Sequence, residues 1–476
     1  MTAALDHIAD LARFVQTAPS SFHAVEECAR RMREAGFTQL SERDEWPAAQ
    51  AGDAHFVVRD GAVIAWMLPA RVEPTSPFRI VGAHTDSPGF KLKPQPTIGA
   101  HGWLQVGVEV YGGPLLNSWL DRELELAGRL ILDDGSEHVV RTGPFVRIPQ
   151  LAIHLDRDVN NGLTLVKQAH LSPIFGVGDV ADADIVGHLA TLAGVSASQV
   201  AGYDIVVADT APPQTFGLDN QLFASGRLDN LSSVHAGLTA LLAAASARRD
   251  APPAAGQTKP TADRKPVEPI AVFAAFDHEE VGSETRSGAA GTLLNHTLER
   301  IAETLGASRT EHRRALADSW VVSADAGHAV HPNYAECHDP ANRPLPGAGP
   351  LLKINANQRY ATDATGAAEW ARACTQADVP YQKFVSNNDI PCGSTIGPIT
   401  ATVSGIRTID VGIPLLSMHS AREMCGTDDP IYLSAALSAF YTPQPPATKT
   451  AGRASAATPA RAARTRRESR ASHTNQ

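Results

Sequence analysis

Thiol pairs, long apolar runs and an excess of positive charge are all missing from this chain of 476 residues. Its five cysteines are Cys28, Cys337, Cys374, Cys392 and Cys425, an odd number with none at Cys-x-x-Cys spacing. That argues against a disulfide framework and a thiolate zinc site, and fits a reducing compartment. No run of about 18 apolar residues occurs, so no membrane span is expected. The opening MTAALDHIADLARFVQ has no basic stretch followed by an apolar core, so no secretory signal is read and the expected location is the cytoplasm. A formal net charge of -10 suits wholesale nucleic-acid binding poorly. What is present is an ordinary globular balance, 43% hydrophobic and 19% charged, which excludes a collagen-like or wholly disordered polymer. The length fits two domains or one large decorated one.

Charge is unevenly spread. Residues 443–476 hold seven basic residues and one acid, leaving residues 1–442 at about -16. This tail has no apolar period and is expected to be a disordered basic segment, read first as a solvated extension and only second as an arm for RNA or acidic surfaces. A second Pro- and Ala-rich stretch at about 247–269 reads as a flexible surface loop. Elsewhere helices alternate with buried strands such as FRIVGAH and PIAVFAAF, the pattern of an α/β/α sandwich with much parallel pairing. Residues 97–217 read instead as short strands between Gly and Pro turns, an inserted β-rich domain. It splits the sandwich into residues 1–96 and 218–442.

Five polar clusters fall where strands end or loops enter helices, the edge at which open α/β sheets bind ligands. GAHTDSPG carries His84 and Asp86, whose side chains share a face on an extended backbone, so that Asp86 can orient an imidazole. SGRLDNLSS carries Asp229, which taken alone reads first as a helix cap. FDHEEVGS carries Glu279 and Glu280; adjacent acids ending a buried strand repel unless a cation or proton is shared, and on an extended backbone they point to opposite sides. VVSADAGHAVHPNY carries Asp325, His328 and His331, and PLLSMHSAREMCG carries His419. Imidazole and carboxylate without thiolate suit a catalytic zinc site. A bridging carboxylate with one His and one acid on each side makes a two-metal centre, the ions about 3.5 Å apart.

The chain resembles the aspartyl aminopeptidase family of zinc metallopeptidases. AHTDSPGFKLKP, YGGPLLNSWLDRELELAGR, LAIHLDRDVN, SGRLDN, FDHEEVGS, SADAGHAVHPNY and NNDIPCGSTIGPI stand in the family's order; the 247–269 loop and the tail fall outside its pattern. The resemblance implies a two-zinc aminopeptidase whose inserted domain drives dimerisation and further homo-oligomeric assembly, often to a dodecamer. By it His84 and His419 are terminal ligands, Asp229 bridges, and Glu280 and Asp325 complete separate metals. Glu279 is then the general base, and Asp86 orients His84. His328, Lys353 and Tyr360 contact substrate, Lys353 pairing with the side chain of an N-terminal Asp or Glu. His154 contacts substrate in a neighbouring subunit, although a view restricted to histidines would make it a metal ligand beside His84 and His419. Competing readings are a carboxypeptidase or N-acyl amino-acid deacylase of the same fold, or a catalytically silent assembly protein. A serine hydrolase is excluded, because no Gly-x-Ser-x-Gly elbow follows a strand.

Overall fold

The central strands of the main sheet are apolar along nearly their whole length. Ile270–Phe276 is buried at every position, and Phe78–His84, Trp320–Ala324 and Arg407–Gly412 are buried apart from Arg79, Trp320 and Arg407. Strands with no polar face need cover on both sides, which is where parallel sheets occur. The four lie side by side and parallel, in the order just given. The computed structural model describes residues 2–249 and 267–444, so most of the 247–269 loop and of the basic tail lie outside the described residues. Among these, Thr38–Gln39, Ala54–Arg59 and Ala62–Met67 extend the sheet on one side, and Leu351–Lys353 and Gln382–Phe384 on the other.

Helices cover both faces, giving the expected α/β/α sandwich. Thr2–Thr17, Ser21–Glu34, Leu228–Arg249, Ala364–Ala377 and Asp429–Tyr441 bring Phe14, Met32, Leu238, Trp370 and Phe440 into one apolar core with Phe273 of the sheet. Leu293–Thr304, Arg309–Ala317 and Ile396–Ser404 bring Leu298, Ala315 and Ile396 against Ile80 and Val272 on the opposite face. Leu228–Arg249 buries Leu231, Val234, Leu238 and Leu241, as a helix held between sheet and outer helices must. No helix among the described residues is long and apolar enough to cross a membrane.

A second sheet runs in the order Glu137–Arg141, Leu124–Leu132, Val200–Asp209, Gly89–Ala100, Trp103–Tyr111 and Ile174–Val177, all antiparallel. One face packs Phe90, Trp119, Leu126 and Ile205 beneath helix Ile185–Leu192. Its first strand starts at Gly89, ahead of the boundary expected at residue 97. Pro94 and Pro96 suggest a break, but they sit where the pairing register shifts between Leu92 and Thr97, a bulge that tolerates a residue without an N–H. Gln214–Phe216, within the expected insert, pairs instead with Leu222–Ser225, and that strand with Glu423–Gly426. The two sheets belong to one compact body. Arg129 of the second sheet pairs with Asp60 at 3.1 Å and lies over the Phe22 ring at 4.3 Å.

Gly412 marks the tightest joint of the main sheet, because a Cβ there would overlap the main-chain carbonyl of Asp325. Gly412→Ala should lower the unfolding free energy by about 1–3 kcal/mol. The check is the denaturant midpoint; no shift would mean that the strands separate freely at this point.

Candidate metal centre

Parallel strands end at one edge, so the residues that follow them meet. His84 closes Phe78–His84, Asp325 follows Trp320–Ala324, and the turn Glu279–Val281 follows Ile270–Phe276. His419 arrives from the loop after Pro414–Leu415. Asp229 enters from the start of helix Leu228–Arg249, where it and Asn230 have non-helical backbone angles and share a cis peptide bond. It does not act as the cap its position suggested. Glu279 and Glu280 also differ from expectation: they stand on a single 3-10 turn, not an extended strand end.

Asp229 is central. His84 Nε2 lies 3.3 Å from its Oδ1, and His419 Nε2 lies 3.5 Å from its Oδ2. Asp325 Oδ1 is 3.5 Å from the same atom of His84, and Glu280 Oε2 is 3.4 Å from that of His419. Three donor groups result among the described residues, His84–Asp229–Asp325, His419–Asp229–Glu280 and His84–Glu279–Glu280. Each imidazole is turned by a main-chain carbonyl that accepts from its Nδ1–H: Asp86 at 3.1 Å for His84, Gly113 at 3.0 Å for His419. Both Nε2 lone pairs are thereby free to bind a cation.

Asp86 does more than orient His84. Its carboxylate accepts the amide N–H groups of Glu279 and Glu280 at 3.0 and 3.1 Å, and the Tyr111 hydroxyl at 2.7 Å. Tyr111 ends a strand of the second sheet, and the chain that follows it grips the other side of the centre. The Leu115 amide donates to the His419 carbonyl, and the Ala421 amide to Ser118 Oγ. At Gly112, with φ at 67°, a Cβ would press on the Glu280 carbonyl at 3.1 Å. The second sheet therefore helps to build the centre within a single chain.

The buried atoms Asp229 Oδ1 and Glu280 Oε1 have no hydrogen-bond partner. Anionic oxygens stranded in this way are costly unless a cation meets them. The all-nitrogen-and-oxygen donor set fits zinc in a catalytic site.

A family model described as Aminopeptidase I zinc metalloprotease (M18) matches residues 14–441. The chain belongs to this family. A relative from Streptomyces avermitilis, described as a probable M18 family aminopeptidase 2, is 53% identical over 437 residues, 91% of this chain and 97% of that one. A relative of the same description from Mycobacterium leprae is 43% identical over 91% of this chain and 98% of that one. Among solved structures, the Ape4 and Nbr1 complex matches at a TM-score of 0.85 and 35% identity, covering 92% of this chain and 86% of the other. The Saccharomyces cerevisiae mApe1 dodecamer matches at 0.77 and 26%, covering 91% and 96%. The chain is thus a zinc metallo-aminopeptidase of the M18 family, and the carboxypeptidase, deacylase and silent-scaffold readings fall away.

In this M18 peptidase the remaining candidates are not members of the donor groups found among the described residues. His154 is exposed, on a segment with Leu151, Ile153 and Leu155, and belongs to none of the metal-holding groups among the described residues. His331 is likewise outside them, its ring tilted 58° against that of Tyr334 at 4.9 Å between centres. His328 keeps solvent access, while crowding and the Lys353 cation lower its pKa. Lys353 is buried, donates to the Ala326 carbonyl at 2.6 Å, and lies 5.3 Å from the Tyr360 ring centre. Sequence reasoning missed Tyr111, Gly113 and Glu423. A carbonyl leaves no side-chain signal, and a Tyr in a strand or a Glu in a short strand reads as ordinary packing or solvated surface.

Without metal the centre holds protons. Burial pushes Glu279 up to about 8 and Glu280 well above the carboxylate range, with the neighbouring acids adding repulsion. Burial opposes charge on His419, but Asp229 outweighs it and raises this group to about 8. A cation must displace these protons, which are held below the raised pKa values. Zinc affinity should therefore weaken as pH falls through about 8, by roughly tenfold per unit for each proton displaced. Competition with a chelating dye checks this; affinity independent of pH between about 6 and about 9 would contradict it.

Proposed function

We propose that the chain is a two-zinc aminopeptidase that removes N-terminal Asp or Glu from peptides. The observation that carries the reading is Asp229, with one carboxylate oxygen toward each imidazole. His84 and Asp325 would hold one zinc, His419 and Glu280 the other, and Asp229 offers one carboxylate oxygen toward each. Bound zinc supplies Lewis acidity, polarising the scissile carbonyl and lowering the pKa of water from about 15.7 toward about 7.

Glu279 does the proton work. Its amide is pinned by Asp86, which fixes the turn, while its own carboxylate is left to act as base. It takes the proton of the attacking water and returns it to the departing amine. Asp86 keeps the His84 ring in place throughout. Lys353 supports the acidic preference: among the described residues no carboxylate lies within ion-pairing distance of this buried ammonium, whose hydrogen-bonded partner is the carbonyl next to Asp325. A buried cation short of an anion suits a substrate carboxylate, with Tyr360 below it and His328 beside it.

His154 contacts substrate in a neighbouring subunit. Leu151, Ile153 and Leu155 around it are 55%, 50% and 75% exposed, an apolar surface of the kind a second copy covers. The dodecamer named for the yeast relative supports such an assembly, with the second sheet as the dimerisation domain.

Glu279→Gln should keep zinc and lose about 10²–10⁴ in kcat; a variant with wild-type kcat would show the base to be misassigned. Hydrolysis of Asp-, Glu-, Leu- and Lys-terminated peptides tests Lys353→Ala, which should lose the acidic preference while still cutting; retained preference would remove Lys353 from the substrate pocket. His154→Ala should lower activity without changing the oligomer. This point substitution is cleaner than deleting residues 97–217, which would also take Tyr111 and Gly113.

A further inference from the structure

Glu423 makes no contact that the metal-binding reading requires, yet it is 2% exposed directly behind the centre. It opens the strand Glu423–Gly426, which pairs antiparallel with Leu222–Ser225, so that Glu423 stands opposite Ser225 on the chain leading into Asp229. Its Oε2 accepts the amide N–H of Asp229 at 2.8 Å, and its Oε1 accepts that of His419 at 2.7 Å. One carboxylate thus spans two donors that are far apart in sequence and shared by one metal-holding group.

One of the two amides belongs to a residue in an unusual backbone conformation: His419 has φ 65°, whereas Asp229, at φ -82° and ψ 103°, is extended where the helix begins. A non-glycine residue at positive φ persists where its surroundings hold it. The surroundings here are Glu423 on the amide side and the Gly113–Leu115 segment on the ring and carbonyl side. Charge-assisted bonds from a carboxylate to main-chain N–H groups are short and directional, so the carboxylate fixes the spacing between the two residues as well as their presence. With both oxygens occupied by amides, Glu423 is no part of the donor groups among the described residues.

We infer that Glu423 is a positioning residue that sets the separation of Asp229 and His419, and so governs the affinity of the His419-side zinc more than that of the other, since it holds two donors of that group and only one of the other. The inference rests on the two-zinc reading above. Glu423→Gln keeps the shape but turns one acceptor into an NH2 facing an N–H, so one clamp bond is lost. Partners of metal ligands of this kind typically govern about 10–100-fold in metal affinity or activity.

The test measures both zinc affinities, kcat and KM for wild type and Glu423→Gln. The expected result is the His419-side zinc weakened about 10–100-fold, the other weakened less, kcat lowered with KM unchanged, and kcat restored by excess zinc. Two zincs held at wild-type affinity, or a loss of thermal stability with both affinities kept, would overturn it. If Glu423→Gln does not fold, Glu423→Asp carries the test: its shortened carboxylate should show the same unequal loss, and unchanged affinities would overturn the inference. A wild type that binds only one zinc would fail the two-zinc reading itself, a result distinct from unaltered zinc binding in the variants.

Discussion

Carboxylates buried together repel, and that repulsion organises this molecule. Asp229, Glu279, Glu280 and Asp325 stand around two imidazoles with too few hydrogen-bond donors to satisfy them. Burial and mutual repulsion drive Glu279 and Glu280 toward the protonated form. Only a strongly cationic partner lets all four stay charged. Everything packed around them, from sheet order to main-chain hydrogen bonds, serves to hold anions where they would otherwise move apart.

The holding is done mainly by other acids acting on the backbone. Asp86 binds the amides of Glu279 and Glu280, and Glu423 binds those of Asp229 and His419. Neither belongs to the donor groups. The second sheet adds the Tyr111 hydroxyl and the Gly113 carbonyl. The donor cluster thus draws on both sheets of one chain, which ties the second sheet to the centre before any second subunit is considered.

Much of this was legible in the sequence, for physical reasons. Strands without a polar face must be covered on both sides, and parallel strands deliver their trailing residues to one edge; His84, Glu279, Glu280 and Asp325 follow from those two facts. Asp229 was harder, because a side chain before an apolar helix reads as a cap, and only its non-helical backbone turns it inward. The Glu279–Glu280 turn was misjudged as extended, since sequence cannot show that Asp86 draws both amides to one carboxylate. The start of the second sheet at Gly89 was hidden by two prolines in a bulge. Gly113 acts through its carbonyl and Glu423 through main-chain amides, and neither contact has a pattern in residue types.

The most direct test of the centre is anomalous diffraction at the zinc edge from crystals of the full chain. Two peaks flanking Asp229, one beside His84 and Asp325 and one beside His419 and Glu280, are the result the account predicts. A single peak, or peaks remote from Asp229, would contradict it.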